Sequence, residues 1–336
     1  MISSNIALVA PVLRTSRLVG TRCMDKFLVK VSVFLVAFFV INSGFALYVA
    51  GGLTENRRSK YHWACSLAGN QFDLAFIGSS RVEMTVDPRV IDDIVHTNSI
   101  NIGASGAGAG DQYLLATKLL RGNKVDTVYY QIDYLTLANK FSYPFKDYIW
   151  LCYDDQREVQ STVVDHCGAA RYWAWSGIPF LRLMEFSSQY DLFPHRNAGT
   201  YWNDRKGGQQ RDTPDAASLA DQFAVYIPDS LSVKYVLKTI ELCKHNDVEL
   251  VLFQAPLRAQ LSLVSDFPAC TTWIDELVES RGLAYWDFSD IYRTRGDLFY
   301  DNHHLNSAGV LEFSSELAKR IAAKRAASDA ERLTNE

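Results

Sequence analysis

Phe72-Asp73-Leu74-Ala75-Phe76-Ile77-Gly78-Ser79-Ser80-Arg81 is the stretch from which the fold can be read. Its apolar run is too short for a helix and closes abruptly in a glycine and two hydroxyls. That pattern predicts a buried strand ending in a sharp turn. Outward from it the same alternation recurs. Thr97 to Ile102 is a weaker second strand, followed by the glycine-rich Gly103-Ala104-Ser105-Gly106. Asp111 to Leu120 has helical spacing, and Asp126 to Tyr134 is a strand rich in β-branched and aromatic residues. Later come a helix over Ser230 to His245, a strand over Val248 to Phe253, a helix over Trp273 to Glu279 and a fifth strand over Leu283 to Phe288. A final helix starts near Ser307, with Val310, Phe313, Leu317 and Ile321 on one side.

Strands alternating with helices of this length predict a parallel α/β sheet with right-handed crossovers. Helices on both faces make it a three-layer sandwich, and five strands suit a flavodoxin-like order. Sites in such sheets form beyond the C-terminal strand ends. Ser80 follows strand one, Gly106 follows strand two and His304 follows strand five, so three distant motifs are expected at one edge.

Residues 135–227 interrupt the alternation. They are dense in aromatics, among them Tyr148, Trp150, Tyr172, Trp173, Trp175, Tyr201 and Trp202. Either these form the insertion's own core, or they make a lid or groove for sugar rings or an acyl chain. The polar stretch Asn203 to Pro214 reads as an exposed loop.

The N-terminus is a separate matter. Val31 to Ala50 carries no charged side chain, and twenty helical residues rise about 30 Å, the thickness of a bilayer's hydrocarbon core. The expectation is a retained transmembrane helix over residues 31–53; a cleaved signal peptide and a long core helix are the alternatives. Arg14, Arg17, Arg22, Lys26 and Lys30 precede it, against Arg57, Arg58 and Lys60 after it. That asymmetry puts residues 1–30 in the cytoplasm and a domain over 61–330 outside.

The chain has 336 residues and a net charge of −4; residues 1–60 are +6 and the rest −10. An acidic outer domain lacks the basic footprint that nucleic-acid phosphates require. Cys23 precedes the span, and Cys65, Cys152, Cys167, Cys243 and Cys270 follow it. Of these five, Cys152 and Cys167 are nearest in sequence and are the candidate disulfide. No spacing suggests zinc.

Near the C-terminus stands Asp301-Asn302-His303-His304-Leu305-Asn306. An acid three residues before a histidine can orient it as a general base, and Ser80 is the matching nucleophile. A metal site of Asp301, His303 and His304 is the competing reading. The glycines at 103, 106, 108 and 110 also hint at dinucleotide binding, but their spacing is not GxGxxG and they follow the second strand.

These motifs resemble the SGNH (GDSL-type) hydrolases and acyltransferases, in particular membrane-anchored DltD-like members. The resemblance covers about 70–135 and 230–325 and rests on Gly78-Ser79-Ser80-Arg81, Asn101 to Gly106 and Asp301-x-x-His304. It implies Ser80 as nucleophile, His304 as base and Asp301 as its orienting acid. The oxyanion hole then falls to the Ser80 and Gly106 backbone. The family's asparagine after strand three is missing; either Gln131, Arg81 or a group from the insertion substitutes, or turnover is slow, or catalysis is lost. Arg81 is expected either to bind a substrate carboxylate or phosphate or to pair with a carboxylate of the domain.

The resemblance further implies acyl transfer or ester hydrolysis, with no cofactor or metal, on a cell-envelope or exported polysaccharide of a bacterium. It places the domain on the outer, periplasmic or extracellular face of the cytoplasmic membrane, with the bilayer and a membrane acyl-donor protein as partners. A degenerate, glycan-binding scaffold is the rival reading.

Overall fold

The computed structural model describes residues 12–56, 58–138, 145–153, 155–186, 200–211, 224–258, 265–266 and 268–335. It opens with the 43-residue helix α1 (Val12–Thr54) and the short α2 (Lys60–Cys65). Then follow β1 (Gln71–Ile77), α3 (Ser80–Glu83), α4 (Pro88–Val95), β2 (Ser99–Asn101), α5 (Ala109–Gly122) and β3 (Lys124–Gln131). Between β3 and the next sheet helix lie α6 (Tyr134–Leu137), α7 (Asp147–Trp150), α8 (Arg157–Cys167), α9 (Ala169–Gly177), α10 (Pro179–Phe186) and α11 (Thr200–Asp204). The chain closes with α12 (Ser230–His245), β4 (Glu249–Gln254), α13 (Pro268–Arg281), β5 (Ala284–Asp287) and α14 (Ser307–Asn335).

The sheet is five-stranded and all parallel, in the order β2-β1-β3-β4-β5. Parallel strands covered on both faces read as continuous apolar runs, which is why Leu74 to Ile77 is apolar throughout. Successive side chains go to opposite faces. Ala75, Ile77, Val128, Tyr130 and Leu252 join the core beneath α5 and α12. Leu74, Phe76, Tyr129, Val251 and Phe253 join the core beneath α4 and α14, with Ile91, Val310, Phe313, Leu317 and Ile321.

Observed boundaries depart from the expected ones where a side chain takes over the backbone's hydrogen bonds. The third strand ends at Gln131 rather than Tyr134, because Asp133 caps α6 and accepts from the Thr136 N–H at 2.9 Å. Asn203 to Pro214 is not simply an exposed loop. Gly207 and Gly208 are buried, and the Asn101 N–H donates to Lys206 O at 2.9 Å, so this stretch packs on the end of β2. Residues 212–214 lie outside the described residues.

The aromatic segment is partly buried and partly exposed. Trp150, Tyr172, Trp175 and Trp202 are buried, whereas Trp173 and Tyr201 are exposed. Asp111 on α5 ties the segment down, accepting from the Trp150 Nε1–H at 2.7 Å and the Lys146 N–H at 3.0 Å. The Cys152–Cys167 disulfide is not formed: Cys65, Cys152, Cys167, Cys243 and Cys270 are all in the thiol form. Cys152 donates to Tyr148 O and Cys167 to Gly168 O instead, each thiol satisfied within its own turn.

Within α1, Met24–Tyr48 is 25 residues long with a mean hydropathy of 2.0, enough by length and composition to cross a membrane. It lies near the N-terminus, where a signal sequence would have the same character. The apolar helix therefore begins before the expected Val31.

Candidate active site

β1 delivers Ser80 to the C-terminal edge through a turn that only glycine allows. A Cβ at Gly78 would lie 2.4 Å from Val82 Cγ2 and 2.6 Å from Gln131 Oε1. Ser79 then caps α3, accepting from the Arg81 N–H at 3.3 Å, and Ser80 is the first residue of that helix.

From the far end of the chain, the loop after β5 carries the acid and the histidine. Tyr300 N–H donates to His304 O at 2.9 Å, and a bridge joins Phe299 to Leu305, so the loop is pinched at both ends. Gly309 completes the fit, because a Cβ there would meet Leu298 O at 2.3 Å. Asp301 Oδ1 accepts from the His303 and His304 amides at 2.7 Å each, which fixes the carboxylate.

Three side chains from opposite ends of the sequence thus meet. His304 Nε2 lies 2.8 Å from Ser80 Oγ, and His304 Nδ1 lies 2.7 Å from Asp301 Oδ2. Both ring nitrogens are engaged, so this histidine has no lone pair left for a metal. His303 turns away, its Nδ1 3.0 Å from Tyr134 Oη.

Burial opposes ionisation of Asp301, but the hydrogen bond and charge of His304 and the two amides outweigh it and hold the carboxyl at about 2. The usual carboxyl value is about 3.9. With the folded-state value depressed, the stabilisation is full above the unfolded value and disappears as pH falls through the folded one. Wild type is therefore expected to lose stability more steeply than Asp301→Asn between about pH 4 and pH 2. Acid titration followed by circular dichroism measures this, and equal slopes would count against the carboxylate being ionised.

The loop after β2 comes to the same place. Asn101 joins it to α3: Asn101 Nδ2 donates to Val82 O and Val86 O at 2.8 Å each, and Oδ1 accepts from the Gly103 N–H at 2.9 Å. Gly103 packs so closely on α3 that a Cβ would lie 2.7 Å from Val82 Cβ. Ala104 N–H donates to Gly78 O at 3.1 Å, and Gly106, at φ +71°, turns the loop two residues later. Among the described residues, neither the Ser80 nor the Gly106 amide has an acceptor. Two such N–H groups are what a developing oxyanion requires. Gly110 belongs to packing rather than to phosphate binding, since a Cβ there would strike the His166 ring at 2.6 Å.

Two expected roles are corrected. Gln131 is fully buried and committed: its Oε1 accepts from the Ser79 N–H and O–H at 3.4 Å each, and its Nε2 donates to Asp133. It props the Ser79–Ser80 turn from beneath. Arg81 does not reach a substrate either. Its guanidinium is completely buried in an ion pair with Asp133, and its Nη2 donates to Ala255 O at 2.7 Å and Pro256 O at 3.0 Å. Of its two alternatives, pairing within the domain is the one realised.

Asp133 is the residue the sequence left without a role. It gathers Arg81, Gln131 and Thr136 directly under Ser80. Its position, a carboxylate at the end of an apolar strand, was the available signal.

A cavity of about 610 Å³ opens on this side of the molecule, with none of Ser80, His304 and Asp301 in its wall. Glu83, one turn after Ser80, and Ser105, next to Gly106, belong to its wall with Tyr61, Tyr201 and Trp202. Ser105 Oγ donates to Glu83 Oε2 at 2.5 Å. The larger cleft of about 890 Å³ lies at the opposite, N-terminal edge of the strands, around Gln71, Lys124 and Val248, far from these groups.

No family model matches the chain, and no curated protein is significantly similar to it.

Proposed function

We propose that this chain is a membrane-anchored serine acyl-ester enzyme of the SGNH-like kind, with a flavodoxin-like catalytic domain over 61–330 and an aromatic-rich insertion over 135–227. It transfers or removes an acyl group, acetyl in our reading, on an envelope or exported polysaccharide outside the cytoplasmic membrane. One observation carries the reading: the unbroken Ser80–His304–Asp301 hydrogen-bonded chain at the C-terminal edge of the sheet. The strand order, in which β1 is flanked by β2 and β3, supports the same family.

The chemistry follows from the atoms. Ser80 Oγ bonds to the acyl carbonyl carbon while His304 Nε2 takes its proton. The negative oxygen that results is met by the Ser80 and Gly106 amides. Collapse breaks the bond to the leaving alcohol, which receives the proton from His304. A sugar hydroxyl or water then attacks the acyl-serine, gives its proton to His304, and Ser80 recovers it as its ester bond breaks. Asp301 holds the Nδ1–H tautomer and stabilises the imidazolium throughout. The Tyr201 and Trp202 walls of the cavity lined by Glu83 and Ser105 suit stacking on an acceptor sugar.

The commitment of Gln131 favours a second reading, a glycan-binding module with a degenerate site. Losing one oxyanion donor costs about 2.7–4 kcal/mol, so turnover is expected to be about 10²–10³ slower than with three donors, not absent. Reaction with p-nitrophenyl acetate separates the two. A burst of one nitrophenol per chain, with acetyl found on Ser80 by mass spectrometry, supports the enzyme. Folded protein that gives neither supports the binding module. Ester formation on an added oligosaccharide then separates transfer from hydrolysis.

A further inference from the structure

Asn42 is buried although it sits in the middle of exposed apolar neighbours on α1: it is 5% exposed, whereas Ile41 is 71% and Leu47 75%. What covers it is the start of α10. The Phe180 N–H donates to Asn42 Oδ1 at 2.9 Å, and the Phe180 ring lies 6.5 Å from that of Phe45. A polar side chain in a membrane-spanning helix is costly unless it faces a partner, and here the partner is a backbone amide.

Two neighbouring amides at this helix start are satisfied as well. A helix normally leaves its first N–H groups without intrahelical acceptors. Here Ile178 N–H donates to Ala174 O at 2.9 Å, Pro179 has no N–H, and Leu181 N–H donates to Ile178 O at 2.9 Å. With Asn42 serving Phe180, the Ile178, Phe180 and Leu181 amides each have an acceptor within the protein, while Asn42 Nδ2 is left without one. Pairing these amides lowers the cost of placing a helix end in hydrocarbon, where each unsatisfied group costs several kcal/mol.

The side chains agree. Phe180, Leu181 and Met184 on α10 are exposed, as is Trp173 on α9. Polar groups gather at the opposite end of the pair: Arg171 is paired with Glu185, which also accepts from the Trp175 Nε1–H at 2.8 Å. Arg182 turns inward and donates to Leu151 O at 2.8 Å. Asn42 precedes Tyr48, the end of the apolar window, by six residues, so the junction lies about 9 Å inside that end. Alongside it is an apolar recess of about 500 Å³ formed by Phe34, Ala37, Phe38, Ile41, Asn42, Phe45 and Phe180.

We propose that the α9–α10 hairpin is a second membrane element, inserted junction-first into the outer half of a phospholipid bilayer, with lipid acyl chains filling the recess. The proposal rests on α1 crossing that bilayer and is independent of the catalytic reading. Because Arg182 holds Leu151 next to the buried Trp150, insertion fixes the domain's tilt as well as its distance from the surface.

The test places the photo-crosslinker p-benzoylphenylalanine singly at Phe180 or Met184 of the full-length chain in phosphatidylcholine–phosphatidylglycerol vesicles. Val36 on α1 and Leu311 on α14, both exposed, are the comparison positions. Lipid adducts at Phe180 and Met184 comparable with Val36, and background at Leu311, are the expected result. Adducts at Val36 with only background at Phe180 and Met184 overturn the hairpin while leaving the span intact. Background at Val36 overturns the span, and the hairpin with it.

Discussion

Substituting His304→Ala is expected to lower turnover of p-nitrophenyl acetate by about 10⁴, because the proton on Ser80 then has no acceptor within reach. Ser80→Ala should cost at least as much, since it removes the atom that becomes acylated. The informative measurement is the double variant. Groups that act as one unit are grossly non-additive, so Ser80→Ala with His304→Ala should be no worse than the poorer single change. Additive losses would mean that the 2.8 Å contact between His304 Nε2 and Ser80 Oγ has no part in the reaction. Rates are to be read against folded protein, with circular dichroism showing that each variant keeps its sheet.

The second large effect is on stability. Arg81 and Asp133 are both completely buried, and their pair joins the nucleophile helix α3 to the ends of β3 and β4. Removing one member of such a pair leaves a charge in a low-dielectric interior and costs about 3–5 kcal/mol. Asp133→Ala strands the guanidinium with only the Ala255 and Pro256 carbonyls. Its melting temperature is expected to fall by on the order of 10 °C, a shift that calorimetry reads directly. Replacing both charges, Arg81→Met with Asp133→Asn, should recover much of the loss, because no lone charge stays buried and the amide oxygen can still accept from the Thr136 N–H that caps α6. A double variant as unstable as Asp133→Ala would show that the pair is not the source of the effect.

How much of this could be read without coordinates varies from residue to residue. The strand at Phe72 to Ile77 was legible because burial on both faces demands an unbroken apolar run, and it is observed one residue longer, from Gln71. The acid and histidine were legible because their spacing is local and the loop between them is short. Arg81 was not decided, because a sequence shows a charge but not its neighbours. Whether a guanidinium meets solvent or Asp133, fifty-two positions away, depends on how β1 and β3 pair. Gln131 was misassigned for the same reason: its position at a strand end was correct, but Ser79 and Asp133 claim both ends of its amide. Gly207 belongs with these. Its φ of +87° and its close approach to Asn101 O bury a stretch whose polar composition suggests a loop in water. Asn42 carries no signal in the sequence, because its partner, Phe180, lies 138 positions away.

The account stands or falls on Ser80 being an activated nucleophile, and a fluorophosphonate probe tests that most directly. With the full-length protein, peptide mapping is predicted to find one adduct, on Ser80, that is absent in Ser80→Ala and strongly reduced in His304→Ala. Folded wild-type protein that takes up no probe, or takes it up on another residue with Ser80 unmodified, would contradict it.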